Sequence, residues 1–239
     1  MATEERPLPI LPEHQFVAGD DLDVSPYLAR GLVARRSPLA SACKRGLDVT
    51  LAAVALIVLA PLLLVISLVL LVAAGRPILF QQLRPGLGGI PFTLRKFRTM
   101  RRPWDGEEGD GQRLTRLGSF LRRTSLDELP ELWNVLRGEM SLVGPRPLLM
   151  DYLELYDAQQ ARRHEVRPGL TGLAQVRGRN ALNWEEKFEM DVWYVDHWTL
   201  ALDLKILAGT VLVVFRREGI SQLGSPTTEP FRGTPPQKP

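Results

Sequence analysis

Asp127 and Glu128 stand side by side in SLDELPEL, residues 125–132, with Pro130 two positions after the second acid. Adjacent carboxylates at the start of a helix can serve two purposes. They can cap it: Ser125 with Glu128 fits a capping box, but Pro130 would then fall at the fifth helical position, where its missing N–H is needed. With Asp127 as N-cap, Pro130 takes the third helical position, whose N–H has no intrahelical partner in any case. Alternatively, an aspartate kept ionised by the free N–H groups and dipole of a helix N-terminus can attack phosphorus. On local grounds alone, capping is the simpler account.

A carboxylate that attacks a diphosphate needs cations beside it, either Mg2+ or fixed Arg and Lys side chains. Lys96 and Arg98 in KFRTM, Arg122 and Arg123 just before the acids, and Arg146 in GPRP are the candidates. The prolines around Arg146 fix its backbone, so its guanidinium would lose less entropy on meeting a phosphate. RPGLTG, residues 167–172, is a tight loop whose glycines could admit a ligand close to the backbone. Taken singly, each of these reads first as an ordinary surface turn or the face of a basic strand.

The elements around them must hold these groups together. ILFQQ and FTLRKF alternate apolar and polar residues as half-buried strands do. Residues 104–112, WDGEEGDGQ, read as a flexible loop. Helices are expected around RLTRLGSFLRRT and along LLMDYLELYDAQQARRHEV, with VGPRP as a turn between them. The late stretch LALDLKILAGTVLVVFRR is apolar over much of its surface, and reads as core or as an interfacial helix lying on a membrane.

Ahead of all these, residues 51–74 form an uncharged apolar run. As a helix it would reach roughly 36 Å, enough to cross a bilayer core of about 30 Å. Pro61 lies near its middle, and both flanks are basic: Arg35, Arg36, Lys44 and Arg45 before it, Arg76, Arg84, Arg95, Lys96 and Arg98 after it. A simple span puts its basic excess on one side. A helix that turns at Pro61 and leaves by the face it entered satisfies both features, and a kinked spanning helix stays open beside it. Residues 1–40, rich in proline and acids, read as a disordered or loosely packed extension.

The 239 residues suit one domain with appendages. Cys43 is the single cysteine and the three histidines are scattered, which excludes an intrachain disulfide and a Cys/His zinc spacing. Any metal is therefore expected to be a hard ion on oxygen ligands. The basic run RKFRTMRR has Phe97 as its one aromatic, leaving little for base stacking, so nucleic acid is not an expected partner. Two alternatives compete with catalysis: a spanning membrane scaffold whose acids only cap a helix, and a basic surface for anionic lipid.

In order, KRGLD, the apolar run, QLRPG, KFRTM, SLDELPELWNVLRGEMSLVGPRPLL, RHEVRPGLTGLAQVRGRN, WYVDHW and LDLKIL resemble one family over residues 43–235. That family is the bacterial polyprenyl-phosphate phosphoglycosyl transferases of the monotopic type, and the ending looks most like its small branch, typified by the initiating transferase of bacterial N-linked glycan assembly. The resemblance implies an α/β (α+β) membrane-associated domain with a small irregular sheet and amphipathic interfacial helices. A re-entrant membrane helix over 41–76 would precede a catalytic domain over 77–239, on the cytoplasmic face of the bacterial inner membrane. It implies transfer of a sugar-1-phosphate from a UDP-sugar, N-acetylated in the small branch, to polyprenyl phosphate with release of UMP. Asp127 would be the nucleophile and an Mg2+ ligand, Glu128 its acid/base partner, and Lys96, Arg98 and Arg146 phosphate-binding groups. The family's helix break carries Ser before its proline, where this chain has Ala60 before Pro61.

Overall fold

The computed structural model describes residues 37–101, 113–178, 182–216 and 230–233. The expected N-terminal extension and the loop at 104–112 lie outside these residues. Element α1 (Pro38–Ala74) leads into a hairpin of β1 (Leu79–Pro85) and β2 (Pro91–Phe97), followed by α2 (Arg116–Arg123) and α3 (Glu131–Arg137). Then come β3 (Ser141–Val143), α4 (Ala158–Ala161), β4 (Gly169–Thr171), α5 (Leu173–Arg177), α6 (Trp184–His197) and α7 (Leu200–Arg216). The result is a helix-rich α+β arrangement with two small sheets, as the sequence suggested.

Both expected strands form, pairing antiparallel from Leu79 opposite Phe97 to Pro85 opposite Pro91. Their alternation buries Phe92 and Leu94 against Leu132, Val135 and Met140 in the main core. The expected long helix through residues 148–166 breaks into pieces: a 3-10 stretch (Met150–Glu154), α4, and a second 3-10 stretch (Arg162–Glu165). Asp157 causes the restart, because its side chain accepts hydrogen bonds from the N–H groups of Gln159 and Gln160 in a full capping box.

The long helix α1 is continuous through Pro61, so the proline does not interrupt it as the sequence reading expected. Loss of one N–H removes a single hydrogen bond from a run of well-formed turns. One face of α1 lies against the rest of the protein along its length. Asp48 and Ala52 are buried beside the main core, and Ile66 and Leu70 are buried with Phe97 and Leu121. The opposite face exposes Val54, Ile57, Val58, Leu64, Val65, Leu68 and Val72. Burying a side chain of this type is worth about 1.5–3 kcal/mol, so such a face is unfavourable in water and suited to lipid. Helix α7 is two-sided in the same way: Asp203 and Ile206 are buried, whereas Leu204, Val211 and Leu212 are exposed. It is thus both core and apolar surface.

Candidate active site

The acid pair sits neither at an N-cap nor inside a regular helix. Ser125, in the left-handed region at φ 56°, turns the chain out of α2 into a 3-10 turn, Leu126–Glu128, and Pro130 then leads into α3. Both capping registers expected from the sequence are corrected by this geometry: Ser125 makes no side-chain cap bond, and the position before α3 is taken by Pro130 rather than by Asp127. A non-glycine residue with positive φ is strained, and such strain gathers at functional turns. Here it swings Asp127 inward, leaving it 5% exposed.

Asn134 fixes what faces the acids. Fully buried in α3, it accepts the Arg95 N–H at 3.3 Å and donates to the Thr93 carbonyl at 2.7 Å and to Glu139 at 2.6 Å. These bonds lock β2 across α3 and bring Lys96 into electrostatic contact with Asp127 and Glu128. Arg122, at the end of α2, donates to the Thr99 hydroxyl at 3.0 Å and adds a further cation acting on Asp127. Arg146 donates to Glu128 at 2.5 Å. Its side chain is 46% exposed, although its neighbours Gly144, Pro145 and Pro147 are buried. The GPRP backbone therefore presents one guanidinium at the mouth of the site.

That backbone is held from two sides. RPGLTG and GPRP, read from the sequence as separate turns, pair through the parallel strands β3 and β4, with Ser141 opposite Gly169 and Val143 opposite Thr171. A Cβ on Gly169 would lie 2.1 Å from the Gly144 nitrogen, so glycine is required for this approach. From behind, the buried Arg163 donates to the Arg146 carbonyl at 2.7 Å while pairing with Asp191 at 2.7 Å.

Burial, and next the neighbouring Glu128, push the Asp127 carboxyl up to about 6; Lys96, Arg122 and Arg146 pull the other way. The helix end expected to favour the ionised form does not set the balance here, because desolvation outweighs the dipole of so short a turn. At pH 7, above that value, the ionised form of Asp127 predominates. Sequence reasoning missed a third acid, Glu131, which is buried and pushed up to about 8 by desolvation and by Glu128. An acid in the first turn of a helix, as Glu131 is in α3, is common and carries no signal that sets it apart. Lys96 is held below its usual value by burial and then by Arg146 and Arg84, while Glu128 raises Arg146. Cations crowded this closely favour an anion between them.

Arg98 is the expected site residue that the structure places elsewhere. Its guanidinium donates to the carbonyls of Ala74, Gly75 and Arg76 at the end of α1. There it complements the negative end of the helix.

A family model described as bacterial sugar transferase matches residues 39–217. The chain belongs to that family. It is 54% identical over 194 residues to the uncharacterized sugar transferase EpsL of Bacillus subtilis, covering 80% of this chain and 96% of that one. It is 46% identical over 182 residues to the UDP-glucose:undecaprenyl-phosphate glucose-1-phosphate transferase of Caulobacter vibrioides, covering 70% of this chain and 68% of the relative. It is 38% identical over 196 residues to the undecaprenyl-phosphate galactose phosphotransferase of Salmonella typhimurium, covering 74% of this chain and 41% of the relative.

In this sugar transferase the acids fit Mg2+ better than a metal that needs a full protein cage. Mg2+ takes one or two carboxylates and completes its shell with substrate phosphates and water. No group of three or more metal-ligating side chains occurs among the described residues. Asp127 accepts no hydrogen bond from them, which leaves its oxygens available.

Proposed function

We propose that this sugar transferase moves a sugar-1-phosphate from a UDP-sugar to polyprenyl phosphate and releases UMP. The observation that carries the reading is the buried Asp127 carboxylate, paired with Glu128 and faced by Lys96, Arg122 and Arg146. An Asp127 oxygen attacks the β-phosphorus of the UDP-sugar. The bond from that phosphorus to the bridging oxygen breaks, its electrons leave with UMP, and a phosphosugar ester stays on Asp127. An oxygen of the polyprenyl phosphate then attacks the same phosphorus and expels the carboxylate, giving a polyprenyl diphospho-sugar. Glu128 serves as acid/base partner of Asp127, and Lys96 and Arg146 bind the phosphates. When bound by Asp127 and the diphosphate, Mg2+ would offset negative charge in both displacements.

The relatives' names narrow the donor. The Caulobacter protein is named for glucose and the Salmonella protein for galactose, which favours a UDP-hexose over the N-acetylated sugar expected from the small branch. A screen of UDP-glucose, UDP-galactose and their N-acetylated counterparts, with undecaprenyl phosphate and Mg2+, should yield UMP with at least one hexose. Silence with all four would overturn the reading.

The product is insoluble in water, so the catalytic residues must work at a bilayer surface. Both halves of α1 touch the same body of protein. Arg45 near its start donates to the Val135 and Leu136 carbonyls of α3, and Arg98 caps its end. These contacts support a seat for the unbroken α1 along one side of the bilayer, with the site on the cytoplasmic face of the inner membrane. Cysteines replacing Gly46 and Arg76, in a Cys43→Ser background, should label from one side of sealed vesicles. Labelling from opposite sides would mean a span.

A further inference from the structure

Lys187 belongs to none of the motifs that pointed to the site, yet α6 carries it within reach of the Arg146 charge. The geometry follows from Arg163, which holds the Arg146 carbonyl and Asp191 with the same guanidinium nitrogen. Asp191 is thereby set against the GPRP backbone. Lys187 lies one helical turn before Asp191 on the same face of α6. Its ammonium sits over the Trp184 ring, 4.7 Å from the centroid. Trp184 is in turn fixed by ring contacts to Phe188, Tyr152 and Phe231, each 5.7 Å between centroids.

The acids that could neutralise Lys187 from its own helix are engaged. Asp191 is bonded twice to Arg163, at 3.1 Å and 2.7 Å. Glu186 closes the capping box at the start of α6, accepting the Asn183 N–H at 2.8 Å. Among the described residues Lys187 makes no ion pair. It is half-buried, and desolvation followed by the Arg146 charge holds its ammonium below the ordinary value. Two cations close enough for one to act on the other, Lys187 stacked on a fixed aromatic ring and Arg146 paired with Glu128, make a place for an anion.

We infer that Lys187 and Arg146 together form a phosphate-binding subsite that continues the site away from the acid pair. Resting on the proposed transfer reaction, the ligand is a phosphate group of a substrate. It comes from one of two sources: the part of the nucleotide diphosphate farther from the attacked phosphorus, or the phosphate of the polyprenyl acceptor. Lys187 is then a substrate-binding residue and takes no part in the proton transfers.

The test is Lys187→Met, which keeps the aliphatic stem over Trp184 and removes the charge, with Lys187→Arg as the rescue. Both are measured as full-length protein in membranes. Loss of one charge-assisted phosphate contact should raise one KM by about tenfold, with kcat at saturation within about threefold of wild type. A raised UDP-sugar KM in the acceptor-free burst of UMP assigns the nucleotide, and a raised undecaprenyl phosphate KM in steady state assigns the acceptor. Lys187→Arg should recover most of the loss. Unchanged values of both KM, or a fall confined to kcat, would refute the subsite. Binding of inorganic pyrophosphate separates this idea from the reaction it rests on. If wild type releases no UMP from any donor, pyrophosphate binding weakened about tenfold in Lys187→Met still sustains the subsite, and equal binding by the two proteins overturns it.

Discussion

Asp127→Asn should lose UMP release by about four orders of magnitude or more, the scale seen when a covalent nucleophile is removed, while the protein stays in the membrane and unfolds no earlier than wild type. The stability half of this prediction follows from burial. The Asp127 carboxyl rises from an ordinary 3.8 to about 6 on folding, with desolvation as the main cause. Between those two values the folded chain holds the proton that the unfolded chain has released. Stability therefore falls as pH rises through this window, and the whole penalty is present above about pH 6. It amounts to at most about 3 kcal/mol for a shift of this size. Asn has the same shape without the charge, so at pH 7 the variant should match wild type or melt above it. A residue that only capped α3 would behave in the opposite way, with activity kept and stability lowered. The measurements are UMP release with the preferred donor and thermal melting of both proteins at pH 5 and pH 7.5. Turnover by the variant at the wild-type rate would rule out Asp127 as nucleophile.

The parts of this molecule that were readable from sequence are those whose signal is local. Alternation in ILFQQ and FTLRKF marked the hairpin strands, and the uncharged run marked α1. Adjacency of Asp127 and Glu128 singled the pair out, although local features favoured a cap and only the family resemblance implied catalytic roles for them. What stayed hidden depends on contacts between distant residues. GPRP and RPGLTG looked like two turns because their pairing joins Ser141 to Gly169 and Val143 to Thr171, across 28 positions. Arg98, in the basic run, and Arg122, just before the acids, could not be ranked from sequence. Which of them meets the acids depends on where α1 ends, since the open carbonyls there draw Arg98 away. Glu131 and Lys187 share this difficulty: a first-turn glutamate and a lysine on an amphipathic helix reveal nothing until burial and neighbours are known. One miss was local. Asp157 with Gln160 is a capping-box spacing, and it marked the restart of a helix where a single long one was expected.

Asp203→Ala should be the most destabilising single change outside the acid turn, because one buried carboxylate satisfies three side-chain donors, one from α1 and two from α6 and its C-terminal cap. Asp203 in α7 is 1% exposed and accepts hydrogen bonds from Lys44 of α1 at 2.7 Å, Tyr194 of α6 at 2.7 Å and Trp198 at 3.0 Å. Lys44 also lies 3.6 Å from Asp48, which in turn accepts the Leu142 N–H at 3.1 Å. The membrane helix is thus tied to α7 and to β3, the strand that leads into GPRP. Removing the Asp203 carboxylate leaves the Lys44 ammonium with only its longer contact to Asp48, and takes an acceptor from Tyr194 and Trp198. Breaking a buried pair from one side costs about 3–5 kcal/mol, and a domain of this size loses roughly 2–4 °C of melting temperature per kcal/mol. A fall of about 6–20 °C is therefore expected, with UMP release intact at low temperature and lost on warming earlier than in wild type. Replacing both partners by apolar residues of similar volume, Lys44→Met with Asp203→Leu, should recover part of the loss, since an absent pair costs less than a broken one. Melting of the single variant within about 2 °C of wild type would mean that α1 is held by its apolar face, through Ala52, Ile66 and Leu70, and by Arg45 and Arg98, with little from Asp203.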